Sequence, residues 1–143
     1  MRVSDLLAVK GHDVATISQD RLVTDALAML GARGIGALVV TSLDSPLVGI
    51  LSERDIVRAL AHDGASSLGA RVIDLMSKGV THCAEETTLT SLMGTMTDKR
   101  IRHVPVLREG QLVGLVSIGD VVKARFDELE HEKQELLDYV SAR

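Results

Sequence analysis

Two short stretches of this chain place a hydroxyl and a carboxylate three residues apart at the end of an aliphatic run. Gly49-Ile50-Leu51-Ser52-Glu53-Arg54-Asp55 returns 65 positions on as Gly114-Leu115-Val116-Ser117-Ile118-Gly119-Asp120. Each leads into a helical-looking segment, Ile56-Val57-Arg58-Ala59-Leu60 and Val121-Val122-Lys123-Ala124. The layout predicts a strand that turns directly into a helix. At such a junction the first helical N–H groups lack intrahelical partners and point outward with the positive end of the macrodipole. The helix end then suits a phosphate, and the carboxylate suits vicinal hydroxyls such as a ribose diol. Ser and Asp are also favoured helix caps, so one copy alone reads first as a capped helix. Two copies in matching context favour a pair of polar-ligand sites.

The elements that must position these groups repeat as well. Val3-Ser4-Asp5-Leu6-Leu7 returns as Val72-Ile73-Asp74-Leu75-Met76, and Val14-Ala15-Thr16-Ile17 as Val80-Thr81-His82-Cys83, β-branched runs readable as strands. Apolar residues at Val23, Ala26, Leu27 and Leu30 keep helical spacing, echoed by Leu89, Leu92, Met93 and Met96. Asp20 and Thr87 or Thr88 are the expected caps. Ile35-Gly36-Ala37-Leu38-Val39-Val40 and Ile101-Arg102-His103-Val104-Pro105-Val106 read as buried strands, followed by turns at Asp44-Ser45-Pro46 and Arg108-Glu109-Gly110. Each half is expected to run β-α-β-β-α. The expected division is a first repeat over 1–62, a small-residue linker over 63–70, a second repeat over 71–125 and a helical extension over 126–143. In that extension Val122, Phe126, Leu129, Leu136 and Val140 form a narrow stripe interrupted by Lys133, which can cover its own domain or meet a partner helix.

Composition bounds the function. The chain has 143 residues, 45% hydrophobic and 25% charged, as in an ordinary folded domain. One Tyr, one Phe and no Trp leave too few aromatic faces for a base-stacking platform, and a net charge of −4 disfavours general phosphate-backbone binding, so nucleic acid is not expected as a partner. The single cysteine, Cys83, has no internal disulfide partner and reads as a small buried hydrophobe. No zinc spacing, secretory leader or membrane-length apolar run is seen, so a cytoplasmic setting without membrane attachment is expected. No nucleophile–base order suggests an enzyme. The Gly31-x-x-Gly34-x-Gly36 run leads into a strand where a dinucleotide fingerprint leaves one, and is rejected.

The paired Gly-x-x-Ser-x-x-Asp junctions, the Val-x-Asp-Leu-type openings and the Arg102-His103-Val104-Pro105-Val106 run resemble a CBS domain pair, or Bateman module, over residues 1–125. With little else in the chain, it is similar to stand-alone bacterial and plant-organellar single-pair CBS proteins. The resemblance implies an α/β (α+β) fold of two CBS repeats about a pseudo-twofold axis, with a long C-terminal helix. It implies two clefts for an adenosine ligand: AMP, ADP, ATP, NAD(H) or S-adenosylmethionine. Asp55 and Asp120 would take ribose hydroxyls, and Ser52 and Ser117 phosphate or ribose. Backbone near Gly36, Ala37 and Leu38, and near Arg102, His103, Val104 and Pro105, would read the adenine edge. Ile17 and Cys83 would sandwich the ring, and Arg54 could neutralise phosphate. The module would act as a regulatory energy sensor, commonly a homodimer, acting on an unidentified protein partner. A ligand-independent scaffold using the C-terminal helix is the alternative. Arg54 faces Gly119 in the repeat, and Val39 faces Pro105, so the two clefts are expected to differ.

Overall fold

The computed structural model describes residues 1–142, and Arg143, the last residue of the expected extension, lies outside the described residues. The first half contains α1 (Val3–Lys10), β1 (Thr16–Ser18), α2 (Val23–Arg33), β2 (Ala37–Thr41), β3 (Gly49–Ser52) and α3 (Glu53–Asp63). A 3₁₀ turn over Gly64–Gly69 leads to α4 (Val72–Leu75), α5 (Leu89–Lys99), β4 (His103–Arg108), β5 (Gln111–Ser117) and the long α6 (Ile118–Ser141). The halves thus share the expected mixed α/β order, with one addition. The Val-x-Asp-Leu openings are helices, each started by a carboxylate three residues in: Asp5 accepts the Arg2 N–H at 2.8 Å and Asp74 the Arg71 N–H at 3.0 Å.

Those opening helices are exchanged. Val3, Leu6 and Leu7 of α1 are buried with Leu89, Leu92, Met96, Val104, Val106, Val116 and Val121 of the second half. Val72 of α4 is buried with Ile17, Val23, Ala26, Leu30, Leu38, Val40, Leu51 and Ile56 of the first. Backbone bridges repeat the reciprocity: Arg2 pairs with Thr88, and Leu22 with Arg71. Each buried Val or Leu contributes about 1.5–3 kcal/mol, so neither core is complete without the other half's helix.

The exchange explains the motif glycines. A Cβ on Gly114 would lie 2.8 Å from Leu7 Cδ2, and one on Gly49 would lie 2.8 Å from the Ser77 carbonyl oxygen and 2.6 Å from Met76 Sδ. Glycine is required where the exchanged segment crosses the strand.

The first sheet has the order β1-β2-β3, with β1 parallel and β3 antiparallel to β2. The second has only β4 and β5, antiparallel through a two-residue turn at Glu109 and Gly110, both with positive φ as a type I′ turn demands. The strand expected at Val80–Cys83 is reduced to a single parallel bridge between Cys83 and Val106. In the first half Val39 N–H donates to the Ala15 carbonyl at 3.1 Å; Pro105, its counterpart, has no N–H to give. One missing donor shortens the strand.

Two cap expectations separate here. Thr88 caps α5, its hydroxyl accepting the Ser91 N–H at 3.1 Å. Asp20 caps nothing: α2 begins at Val23, and Asp25 accepts the Leu22 N–H at 3.3 Å instead. Leu27 lies on the expected apolar face of α2 yet is exposed.

Candidate functional site

Each strand-to-helix junction is a closed capping box. Ser52 Oγ accepts the Asp55 N–H at 3.2 Å, while Asp55 Oδ2 accepts the Ser52 N–H at 2.9 Å and its hydroxyl at 3.0 Å. Ser117 and Asp120 repeat this at 3.1 and 2.9 Å. The first amide of each helix is committed too: Glu53 N–H donates to the Gly36 carbonyl at 2.9 Å, and Ile118 N–H to the Arg102 carbonyl at 2.8 Å. These bonds fasten each helix to the start of the strand region that holds the expected adenine-reading residues. With two amides engaged, cationic side chains are left as the main counter-charge for a phosphate.

Two clefts open beside these junctions, and each draws residues from both halves. The first, about 320 Å³, is lined by Ser52, Arg54 and Asp55 together with Ser77–Thr81, Arg102 and His103. Five cations (Arg54, Arg58, Lys78, Arg100, Arg102) face two acids, Glu53 and Asp55. Arg100 ends α5 in the left-handed conformation, φ 54°, where the first half has Gly34 at φ 61°. A long cationic side chain therefore stands where the backbone favours glycine.

The second cleft, about 470 Å³, is lined by Ser117 and Asp120 with Val14, Ala15, Gly36 and Ala37. Its charges balance, Lys10 and Arg33 against Asp13 and Asp120. Lys10 is engaged inside it, 2.5 Å from Asp120 Oδ2 and 2.5 Å from the Leu115 carbonyl. Burial raises the Asp120 pKa, but the Lys10 ammonium and the Ser117 amide and hydroxyl outweigh it and hold the carboxyl below its ordinary value. Gly36 and His103 line both clefts. Burial, Lys10 and Arg102 push the His103 imidazole down against the opposing pull of Asp120 and Glu53, which keeps it neutral near pH 7.

The structure therefore brings Ser52, Arg54, Asp55, Gly36, Arg102 and His103 together in one cleft, and Ser117, Asp120, Gly36, Ala37 and His103 in the other. Ile17, Leu38, Val104 and Pro105 are buried and line neither cleft; the first three belong to the two cores. Cys83 is half-buried against the second core, its thiol pushed up to about 11 by burial. Lys10, Arg33, Arg58 and Lys78 escaped the sequence reading as site residues. Lys10 arrives on the exchanged helix, and nothing in a tandem repeat announces which half a helix will join. Among the described residues no group of three or more His, Cys, Asp or Glu could hold a metal ion, and no helix is long and apolar enough to cross a membrane.

Comparison with known proteins agrees with this architecture. The CBS domain family model matches residues 3–62 and 72–127. The chain is 36% identical over 146 residues to the CBS domain-containing protein CBSX3, mitochondrial, of Arabidopsis thaliana, covering 96% of this chain and 71% of that protein. A crystal structure of a CBS-domain containing protein from Agrobacterium tumefaciens superposes with a TM-score of 0.85 at 48% identity, covering 87% of this chain and 99% of that one. A CBS domain protein from Pyrobaculum aerophilum, complexed with AMP, superposes with a TM-score of 0.73 at 28% identity, covering 84% and 89%.

Proposed function

The chain belongs to the CBS domain family, and on that premise we propose that it is a non-catalytic sensor of adenosine-containing nucleotides. The observation that carries this reading is the arrangement of Asp55 and Asp120. Each carboxylate lines a cleft built from both halves, in the first turn of a helix. In Asp55 the capping bonds fall on Oδ2, while Oδ1 has a long 3.4 Å contact from the Ser77 hydroxyl, so it can accept from a ribose diol. AMP bound to the related P. aerophilum protein supports an adenosine ligand.

The clefts divide the work. The first carries the excess of cations and takes the more highly charged ligands, ATP or ADP before AMP. The second is charge-balanced and takes a weakly charged adenosyl group, such as S-adenosylmethionine or the adenosine end of NAD(H), once Lys10 releases Asp120. Because each cleft spans both halves, occupancy changes how the repeats 1–62 and 71–125 sit together. A ligand regulates a partner protein only through unequal affinity for the arrangements before and after. Of a micromolar binding free energy of roughly 8 kcal/mol, only the part that differs between the two arrangements drives the change. A homodimer that senses energy state in a reducing, cytoplasm-type setting is the form this function takes. Cys83, a free thiol, fits that setting.

A thermal-shift screen against AMP, ADP, ATP, NAD, NADH and S-adenosylmethionine, followed by calorimetry, tests the reading. Selective stabilisation that disappears in Asp55→Ala or Asp120→Ala is expected, with a capping loss of about 1 kcal/mol for each substitution. A flat screen of folded, ligand-free protein at millimolar nucleotide overturns it.

A further inference from the structure

The second half of α6 stands clear of both cores. Every residue from Leu129 to Ser141 is exposed, a projection of about 20 Å at 1.5 Å per residue. An isolated helix of that length is marginal in water. Its own side chains offer surface pairs, Arg125 to Glu128 at 2.7 Å, His131 to Glu135 at 3.2 Å and Gln134 to Asp138 at 2.9 Å, and such pairs are weak.

Val122, Phe126, Leu129, Lys133, Leu136 and Val140 follow one another at intervals of 4, 3, 4, 3 and 4 residues. That is the 3.5-residue repeat of a two-stranded seam, with Phe126, Lys133 and Val140 at a and Val122, Leu129 and Leu136 at d. The five apolar members are 48–66% exposed. Of the residues that make the pairs within the chain, Arg125 flanks the seam at g, and Glu128, His131, Gln134, Glu135 and Asp138 fall on the opposite, b, c and f face.

We propose that this seam binds a second copy of the same chain as a parallel, in-register coiled coil. The flanking charges select that occupant and that direction. In a parallel pair, Arg125 at g meets Glu130 of the partner subunit at e, and the contact occurs twice by symmetry. Arg125 has five donors and can keep Glu128 while reaching Glu130 of the partner subunit. A fully overlapped antiparallel pair would instead set Glu130 against Glu130 and Glu132 against Glu132. Register is fixed by the single polar layer. In register, Lys133 meets its own copy with Glu132 of both chains beside it. A slip of one heptad would bury Lys133 against Phe126 or Val140.

The test uses the full chain with Leu129→Cys and Lys133→Cys, oxidised separately and mixed, with the wild type reporting any cross-link through Cys83. Leu129→Cys alone is expected to give a covalent dimer under mild oxidant, because d faces d in a parallel pair, and the wild type none. Light scattering is expected to give the mass of a dimer, which Lys133→Leu tightens and Leu129→Glu/Leu136→Glu weakens at least tenfold in dissociation constant. Circular dichroism checks that each variant is folded. A chain that stays monomeric overturns the proposal, as does a dimer in which Leu129→Cys fails to cross-link with itself. Cross-linking confined to the mixture of the two variants assigns the antiparallel pairing and equally overturns it.

Discussion

Lys10, the last residue of α1, sets its ammonium 2.5 Å from Asp120 Oδ2 in the first turn of α6, so the first and last helices meet at the carboxylate of the second cleft. Side chains that are 35% and 26% exposed make this a pair worth no more than about 1 kcal/mol. That ammonium and the Ser117 N–H both fall on Oδ2, so an adenosine diol approaching the carboxylate competes with the ammonium for its charge. Lys10→Met is therefore expected to strengthen S-adenosylmethionine or NAD binding in the second cleft by up to about fivefold while costing about 1 kcal/mol of stability at most. Calorimetry on the variant and on Asp120→Ala separates the outcomes. Weaker binding in Lys10→Met would make the lysine a ligand contact instead of a competitor.

Arg100 lines the first cleft from a left-handed backbone position. A side chain there costs roughly 1 kcal/mol relative to glycine, which its counterpart Gly34 avoids. Arg100→Gly should accordingly raise the melting temperature and weaken ATP binding in the same protein. Opposite signs in denaturation and calorimetry are the signature of a residue kept for charge. A variant that loses stability, or that binds ATP unchanged, contradicts this.

Gly114 and Gly49 face the exchanged segments. A methyl on Gly114 meets the flexible end of Leu7, and a cost of about 1–3 kcal/mol is expected for Gly114→Ala. Gly49→Ala meets the Ser77 backbone carbonyl, which cannot rotate away, and should cost more. Leu7→Ala makes room for the Gly114 methyl, so the double variant is expected to be more stable than the sum of the single effects by 0.5 kcal/mol or more, roughly the range of contact couplings. Additive effects in urea denaturation would place Leu7 away from Gly114.

The junctions were legible in the sequence because their chemistry is local. Ser52 with Asp55, and Ser117 with Asp120, need only a three-residue spacing to cap a helix, and a repeat to mark them as a pair. The reduced second sheet follows from Pro105, which is plain in the sequence, but its effect depends on a tertiary bond, the one Val39 donates to Ala15 in the other half. Ile17, Leu38, Val104 and Pro105 are buried and line neither cleft, so only their backbone, as the resemblance implies for the last three, is left to meet a ligand. The exchange of α1 and α4 was not legible at all. It depends on which core accepts Leu7 or Val72, and tandem repeats offer each helix two nearly equivalent partners.

Cys83 tests the packing of that reduced edge. Burial against the second core holds its pKa at about 11, so at pH 8 about one thiol in a thousand is ionised. Native protein is expected to resist iodoacetamide at pH 8 and to react at least tenfold faster in urea. Rapid labelling of the native chain, read by mass spectrometry, would show Cys83 outside the packed edge.

His103, common to both clefts, gives the protein an acid limit. Lys10, Arg102, Glu53 and Asp120 surround it, and burial leads in pushing its pKa below 6.5. The unfolded chain therefore binds the proton first, and stability contributed by neutral His103 is complete above about pH 6.5 and lost as pH falls towards the folded pKa. Exposed His62, raised by hydrogen bonding to Asp63, has the opposite sign, its contribution being present below 6.5 and lost as pH rises through its folded pKa. The lowered carboxyls of Asp25, Asp120 and Glu128 contribute fully above their ordinary values of 3.8 and 4.5 and lose that contribution only as pH falls below them. A fall in melting temperature between pH 6.5 and 5 is thus expected, and His103→Gln should flatten it. Protonation also adds a positive charge to both clefts, so a nucleoside triphosphate should bind more tightly at pH 5.5 than at pH 7.5 and take up a proton as it binds. Calorimetry in buffers of different ionisation enthalpy measures that uptake directly, and its absence would remove His103 from contact with the ligand's field.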